Sequence, residues 1–130
     1  MAELIRRLNR DRYLVHVVCF RRTGQWLERL AESAASLVEF PVSGFARAET
    51  FRQLSRFAEW CRRERIAIVQ TSDFYSNVFG LPGALLGRVK VRIGSRRELN
   101  PDKSNAQIRL QRLAYRAATR IVANSPAAAA

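Results

Sequence analysis

The sequence predicts an α/β fold in which about five parallel strands form a sheet flanked by helices. Short runs of β-branched and other apolar residues alternate with longer stretches whose apolar side chains recur at helical spacing. The apolar runs are nearly continuous, as in parallel strands that are covered on both faces. Each run then stops abruptly at small polar or charged residues. This order is typical of right-handed βαβ units and favours a Rossmann-like arrangement.

Five apolar runs are predicted as the strands. The first is the longest, and the third, Ile66 to Val69, contains three β-branched residues among four. Each is bounded by residues that are typical of turns or helix ends. The predicted strands cover residues 13–20, 36–40, 66–69, 89–93 and 119–123.

Helices are predicted between these strands, after an opening helix that ends near Leu8. Thr50 and Gln53 have the spacing of a capping box at the start of one helix. Asp73 is predicted to cap the next helix, and Pro82 is expected to kink or restart that helix because proline has no N–H to donate.

The last helix is predicted from its apolar spacing and from a cap in the loop that ends at Ser104. Its inward face is expected to consist of Ala106, Leu110, Leu113, Ala114 and Ala117. Arginines follow each other at spacings of three and four on the opposite side, which predicts a basic stripe. The stripe comprises Arg109, Arg112, Arg116 and Arg120.

Composition indicates one soluble domain over residues 1–130, with 48% hydrophobic and 26% charged residues. No apolar run approaches the roughly 18 residues of a spanning helix, and the opening MAELIRR lacks the apolar block of a secretory signal. Cys19 and Cys61 have no metal-type spacing and are expected to be buried free thiols. A cytoplasmic location is therefore predicted.

The carboxyl ends of parallel strands meet at one edge of a sheet, so the polar residues that follow the strands are expected to share a crevice. Helices that begin there would direct backbone N–H groups at it, which favours a hydroxyl-rich ligand with an anionic group. The residues concerned are Arg21, Arg22, Thr23, Thr71, Ser72, Asp73, Ser95, Arg96, Arg97, Glu98, Asn124 and Ser125.

Simpler interpretations stay open for several of these residues. Strand ends are polar in many proteins because loops are hydrated. Asp73 could serve only as a helix cap, and Tyr75 could belong to the core. Arg97 and Glu98 could pair with each other on a loop surface.

The formal net charge is +12, and all but two of the 23 basic residues are arginines. This excess attracts anions, whether nucleic acid, an acidic lipid surface or a phosphorylated small molecule. The basic stripe could rest on anionic lipid headgroups or on a nucleic-acid backbone, or it could be a solvated helix face.

Several kinds of catalytic site are disfavoured. His16 is the only histidine and lies within an apolar strand, so neither a Ser-His-Asp set nor a metal site can be assembled around it. The glycine-rich phosphate-binding motifs are absent. A free-standing hydrolase or nucleotide-binding domain is therefore not expected.

Four segments resemble the N-terminal, acceptor-side domain of family 4 retaining glycosyltransferases of the GT-B fold. They are NRDRYLVHVVC (9–19), IVQTSDFYSNVFG (68–80), VRIGSRRE (91–98) and QRLAYRAATRIVANS (111–125). Nearly the whole chain is covered, and the segments occur in the order and spacing of that domain.

The resemblance implies half of a two-domain enzyme that transfers a sugar from a nucleotide sugar to a lipid-linked or glycan acceptor, with no cofactor. This half would hold the acceptor, and a second Rossmann-like domain would hold the donor. By position, Thr71, Ser72, Asp73 and Tyr75 would line the acceptor side of the cleft. Arg96 would lie close to the reacting sugar. Ser95, Arg97, Glu98 and Asn124 would lie at the same cleft.

The chain departs from the family pattern in three ways. Gln70, Thr71 and Ser72 stand where many relatives carry histidines. The first strand with its glycine-rich loop and the donor domain are not found in the sequence. The resemblance thus implies a fragment of a probable hexosyltransferase that does not transfer sugar unaided, located in the cytoplasm or at the inner face of the membrane.

Two hypotheses follow. In the first, the chain is the acceptor-binding half of a retaining glycosyltransferase, and nucleic acid is not an expected partner. In the second, it is a non-catalytic basic α/β module that binds a phosphorylated ligand or nucleic acid.

Overall fold

The strands form in the β-branched runs, and the helices form between them where apolar residues recur at helical spacing. The expected cover on both faces of the strands is wrong for the described residues, because most strand residues are half-buried or exposed. A computed structural model describes residues 2–97 and 103–126. The helices in these ranges are α1 (Ala2–Arg7), α2 (Leu27–Ser33), α3 (Ala48–Arg63), α4 (Phe74–Leu86) and α5 (Asn105–Tyr115). The strands are β1 (His16–Cys19), β2 (Ser36–Glu39), β3 (Ile68–Gln70), β4 (Val91–Arg96) and β5 (Arg120–Ala123).

All strand pairs are parallel, which confirms the predicted α/β class. β1 pairs with β2, with His16 opposite Ser36. β3, β4 and β5 form a second sheet in that order, with Ile68 opposite Val91 and Ile93 opposite Arg120. The described strands therefore form two small sheets flanked by helices, where the sequence predicted one sheet. This arrangement is consistent with a Rossmann-like half domain.

The chain divides into two compact units, Met1–Gln53 and Leu54–Ala130, and the boundary falls within α3. We call them the N-terminal and C-terminal units. In the N-terminal unit, Nδ1 of His16 lies 2.7 Å from the hydroxyl of Ser36 and so joins the two strands side by side. This contact gives the only histidine a structural role. The single domain remains a sequence prediction.

The core of the C-terminal unit forms where α4 packs against β3, β4 and α5. Leu81 and Ala84 of α4 are fully buried, and the ring centroids of Phe57 and Phe79 lie 5.5 Å apart. Gly83 permits this packing, because a Cβ there would lie 2.5 Å from Cδ1 of Phe57. Small residues of α4 thus bring the helices into close contact.

Pro82 does not divide α4, which runs continuously from Phe74 to Leu86. The expected restart is therefore wrong, although the segment is buried as predicted. Packing of the surrounding side chains compensates for the missing N–H donor, because the turns on both sides of Pro82 are held in the core. Asp73 caps the helix as predicted and forms a capping box with Ser76.

The prediction of a capping box at Thr50 is also wrong. α3 begins earlier, at Ala48, so Thr50 lies inside the first turn. Its hydroxyl donates to the carbonyl of Gly44, and the side-chain amide of Gln53 donates to Glu49 at 2.8 Å. These side chains find other partners, so neither serves as the cap.

Three further features differ from the prediction. α5 ends at Tyr115, so Arg120, predicted as the last arginine of a basic stripe on this helix, lies in β5 instead. β4 extends to Arg96, so Ser95 and Arg96 are the last residues of the strand instead of the loop after it. In α5, Leu110 and Leu113 are 36% and 60% exposed, and the expected inward face is wrong at both positions and at Ala106. Gln111 is buried in their place, because it belongs to a polar network described below.

Candidate functional site

A buried polar network lies at the carboxyl ends of β3 and β4. Thr71 follows β3 directly, and its backbone N–H donates to the carbonyl of Ile93 at 2.9 Å, continuing the strand pairing. The Thr71 hydroxyl donates to the side-chain oxygen of Asn77 in α4. Thr71 is 4% exposed, so its side chain lies beneath the surface of the site.

Asn77 connects this strand end to the next one. Its side chain is fully buried, and its amide nitrogen donates to the carbonyl of Ser95 at 2.9 Å. The same nitrogen lies 3.4 Å from the hydroxyl of Tyr115, which accepts a 2.8 Å bond from Gln111. The network therefore joins β3, β4, α4 and α5. Because each unsatisfied buried polar group costs about 1–3 kcal/mol, it holds the last residues of β4 in one position.

A cavity of about 590 Å³ opens beside these strand ends. β4 and β5 pair in parallel with Arg96 opposite Ala123, so the residue that ends one strand faces the loop that follows the other. Arg96 and Tyr115 form part of the wall. The other lining residues are Ile121, Ala123, Asn124, Ser125 and Pro126.

This cavity, which we call the Arg96 cavity, combines a cation with hydroxyl, amide and apolar groups. No carboxylate is among its lining residues. None of the ion pairs within residues 2–97 and 103–126 includes Arg96. A planar guanidinium with five N–H donors is suited to an anionic or hydroxyl-rich ligand.

A second and much smaller recess, with room for about one water molecule, lies close to the network. Its lining includes the predicted residues Asp73, Ser95 and Arg97. Lys103 also lines it, with its ammonium 4.8 Å from the centre of the Phe74 ring. The recess has one carboxylate and two cations, and it is far smaller than the Arg96 cavity, so only the Arg96 cavity has room for a sugar-sized ligand.

The other predicted site residues have varied positions. Ser72 is half-buried, and its backbone N–H donates to the Ser76 hydroxyl at 2.9 Å. Tyr75 is 56% exposed, so it is not a core residue. Glu98 lies outside the described residues. The structure therefore brings Arg96, Asn124 and Ser125 together at one cavity and Asp73, Ser95 and Arg97 at another.

The residues predicted after the first strand belong to the N-terminal unit. Arg22 donates to the carbonyl of Leu37 at 2.6 Å and lies 4.0 Å from the carboxylate of Glu39. Arg21 and Thr23 are exposed. Arg22 thus has partners within its own unit.

Three residues of the site are not among those predicted from the sequence, namely Asn77, Gln111 and Tyr115. The sequence does contain a signal for this network, because Gln111 and Tyr115 are four residues apart on a helix and Asn77 directly precedes the apolar residues of another helix. Polar residues at buried helical positions need partners, so they can be recognised as candidates for a network.

The two cysteines are free, as expected, but they differ in burial. Burial raises the pKa of the Cys61 thiol to about 12. Burial also raises the pKa of Cys19, which is only half-buried and lies near Glu39. Among the described residues, no group of three or more His, Cys, Asp or Glu side chains could hold a metal ion. Nor does a helix in the described ranges have the length and apolar character to span a membrane.

Comparison with known proteins identifies the family of this chain. A search of curated proteins finds no match. A sequence model described as the glycosyl transferase 4-like domain matches residues 1–130, which is the whole chain. The parallel strands and the site at their carboxyl ends agree with the α/β fold that the resemblance implied. The chain therefore belongs to the glycosyl transferase 4-like domain family.

Proposed function

We propose that this chain is the acceptor-binding half of a retaining glycosyltransferase and that the Arg96 cavity receives the acceptor. A donor-binding half would supply the nucleotide sugar. In the transfer, the acceptor oxygen bonds to the anomeric carbon as the bond to the nucleoside diphosphate breaks. The electron pair of the broken bond leaves with the diphosphate, and the proton of the acceptor hydroxyl passes to the released diphosphate oxygen. The product keeps the anomeric configuration of the donor.

The position of Arg96 is the observation that carries the proposal. It ends the central strand of a parallel sheet, at a cavity of about 590 Å³ formed with the loop after the neighbouring strand. Ligands of open α/β sheets bind outside the carboxyl ends of the strands. Tyr115 and Ile121 offer apolar surface to a sugar ring or lipid linkage, and Asn124 and Ser125 offer hydrogen bonds to hydroxyl groups.

The network beneath the cavity supports the same interpretation. Asn77 holds the carbonyl of Ser95, the residue before Arg96, and Tyr115 contributes to both the network and the cavity wall. A binding group is effective when its backbone is fixed by neighbouring contacts. We therefore assign Arg96 to contact with the acceptor, and Asn77 to positioning of the strand end.

The proposal is tested by measuring sugar transfer by a protein that contains this chain together with its donor-binding half. Arg96→Gln removes the cation while keeping hydrogen-bonding capacity. We expect kcat/KM for the acceptor to fall about tenfold to hundredfold, as for loss of a charge-assisted hydrogen bond. Arg96→Lys should recover part of the loss, since it restores the charge without the planar fork.

Arg63→Gln is the matched control, because Arg63 is exposed and lines neither cavity. It should change kcat/KM less than twofold. Equal activity of the Arg96→Gln variant and the unmodified protein would contradict the acceptor role of the cavity. Absence of any transfer, together with Arg96-dependent binding of a phosphorylated ligand or nucleic acid, would support the non-catalytic module instead.

A further inference from the structure

We infer that the exposed face of α5 binds the surface of a membrane containing anionic lipids. This inference goes beyond the proposed acceptor site, because it concerns the side of α5 that faces away from the Arg96 cavity wall and the core. It begins with the two leucines that the structure places at the surface. Leu113 is 60% exposed and Leu110 is 36% exposed, although the sequence pattern predicted both to be inward.

The exposed leucines lie beside arginines. Leu113 is four residues after Arg109 and three residues before Arg116, which puts the three side chains on one side of the helix. Arg112 adjoins this group, and all three arginines are exposed. Gln111 and Ala114 mark the buried side. We call the surface formed by Arg109, Leu110, Arg112, Leu113 and Arg116 the α5 face.

The segment that contains the α5 face has charges of one sign. From Lys103 to Pro126 the sequence contains five basic residues and no aspartate or glutamate. The ion pairs within the described ranges include none of Arg109, Arg112 and Arg116. Within the part of the chain that the structure describes, these three arginines therefore form no ion pair, and their charges are available to an anionic partner.

An anionic lipid surface matches both features of the α5 face. Arginines near such a surface are attracted to the lipid headgroups, and a neighbouring leucine can enter the boundary between headgroups and acyl chains. A nucleic-acid backbone would bind the arginines through its phosphates, but it would bury little of an exposed leucine side chain. The combination of charge and apolar exposure therefore favours lipid.

The position of the face is compatible with the proposed acceptor site. Tyr115 of the same helix contributes to the wall of the Arg96 cavity. Binding through the α5 face would hold that helix at the membrane while its other side remains packed in the C-terminal unit. Membrane binding does not depend on the cavity, so the two proposals can fail separately.

The experiment is sedimentation of the full chain with phosphatidylcholine vesicles, with and without phosphatidylglycerol. The unmodified chain should bind the phosphatidylglycerol vesicles much more tightly. Replacing Arg109, Arg112 and Arg116 by Gln together should lower the partition coefficient about a hundredfold, at roughly fivefold for each arginine near an anionic surface. Circular dichroism should show unchanged helix content, because all three side chains are exposed.

A charge-matched control replaces Arg10, Arg12 and Arg63 by Gln, which removes the same charge from exposed positions elsewhere. This control should lower the partition coefficient less than tenfold. Leu113→Gln keeps every charge and should lower it about tenfold through loss of apolar burial. The ratio between the unmodified chain and Leu113→Gln should persist at high salt, since apolar burial is not screened.

Equal losses in the two triple variants, or no effect of Leu113→Gln, would overturn the inference. The same holds if binding to phosphatidylcholine alone equals binding to the mixed vesicles. If the α5 triple variant loses sequence-selective RNA or DNA binding and keeps its vesicle binding, the face is a nucleic-acid surface. Arg96→Gln should leave vesicle binding unchanged, which separates this inference from the acceptor proposal.

Discussion

The two compact units of the chain differ in how much apolar surface they bury. Among the described residues of the N-terminal unit, the buried apolar side chains are Ile5 and Phe40, and α2 has no buried residue. The C-terminal unit buries every other core residue described, including the fully buried Leu81. Leu14, in contrast, is 77% exposed in the N-terminal unit.

The same contrast applies to polar groups. The C-terminal unit has a continuous network around Asn77, whereas the N-terminal unit joins its strands with the contact between His16 and Ser36. The candidate acceptor cavity lies in the unit with the larger core. A site on a packed scaffold keeps its geometry, because displacement of one strand end would disturb many buried contacts.

The largest expected effect of a substitution is at Leu81. Leu81→Ala should lower the free energy of unfolding by about 2–5 kcal/mol, because it leaves a cavity in a close-packed core. Leu14→Ala, at an exposed position of the N-terminal unit, should change it by less than about 0.5 kcal/mol. Urea denaturation monitored by circular dichroism measures both. Similar values would show that the two units do not differ as described.

Asn77→Ala should have the next largest effect. The substitution leaves the carbonyl of Ser95 and the hydroxyl of Thr71 without their partner, at about 1–3 kcal/mol for each buried group. Allowing for partial relaxation, we expect a loss of about 2–4 kcal/mol in urea denaturation. Asn105→Ala, at an exposed position at the start of α5, is the control and should have little effect. A small loss at Asn77 would remove the support for a network that fixes β4.

Gly83→Ala tests the packing of α4. The added Cβ would lie 2.5 Å from Phe57, so the ring must move and the unit should lose about 1–3 kcal/mol. At Gly44 in the N-terminal unit, the nearest atom to an added Cβ lies 3.8 Å away, and Gly44→Ala should be nearly neutral. Thermal melts of both variants provide the comparison. Equal melting temperatures would contradict close packing at Gly83.

The smallest expected effect concerns only the chemical reactivity of the two cysteines. The pKa of Cys61, raised to about 12 by burial, leaves almost no thiolate between pH 7 and pH 9. Cys19 is half-buried, so iodoacetamide should label it first and faster as the pH rises, since only the thiolate reacts. Mass spectrometry of the folded chain identifies the labelled cysteine. Rapid labelling of Cys61 would show that its surroundings open readily.

Much of the fold could be predicted from the sequence. The five strands and their parallel direction follow from apolar runs separated by helical patterns, and the Asp73 cap follows from its position before an apolar helix. Residues at the carboxyl ends were predicted to meet, and Arg96 does line one cavity with Asn124. These features depend on local pattern and on the geometry common to parallel sheets.

The errors arise where tertiary contacts override the local pattern. Leu110 and Leu113 suggested the inward face of α5, yet hydrogen bonding by Gln111 to Tyr115 turns a polar side chain inward. Pro82 suggested a break, but packing keeps α4 continuous. A periodicity rule gives equal weight to each apolar residue and does not include partners that are distant in the sequence.

Amide hydrogen exchange on the full chain tests the central contrast most directly, because it reports the local opening free energy at each residue. If the C-terminal unit is the rigid scaffold of the site, amides of β4 around Ile93 to Ser95 and of α4 around Leu81 should exchange slowest. Amides of β1 and β2 should exchange much faster. Equal or greater protection of β1 and β2 would contradict a scaffold centred on the Asn77 network.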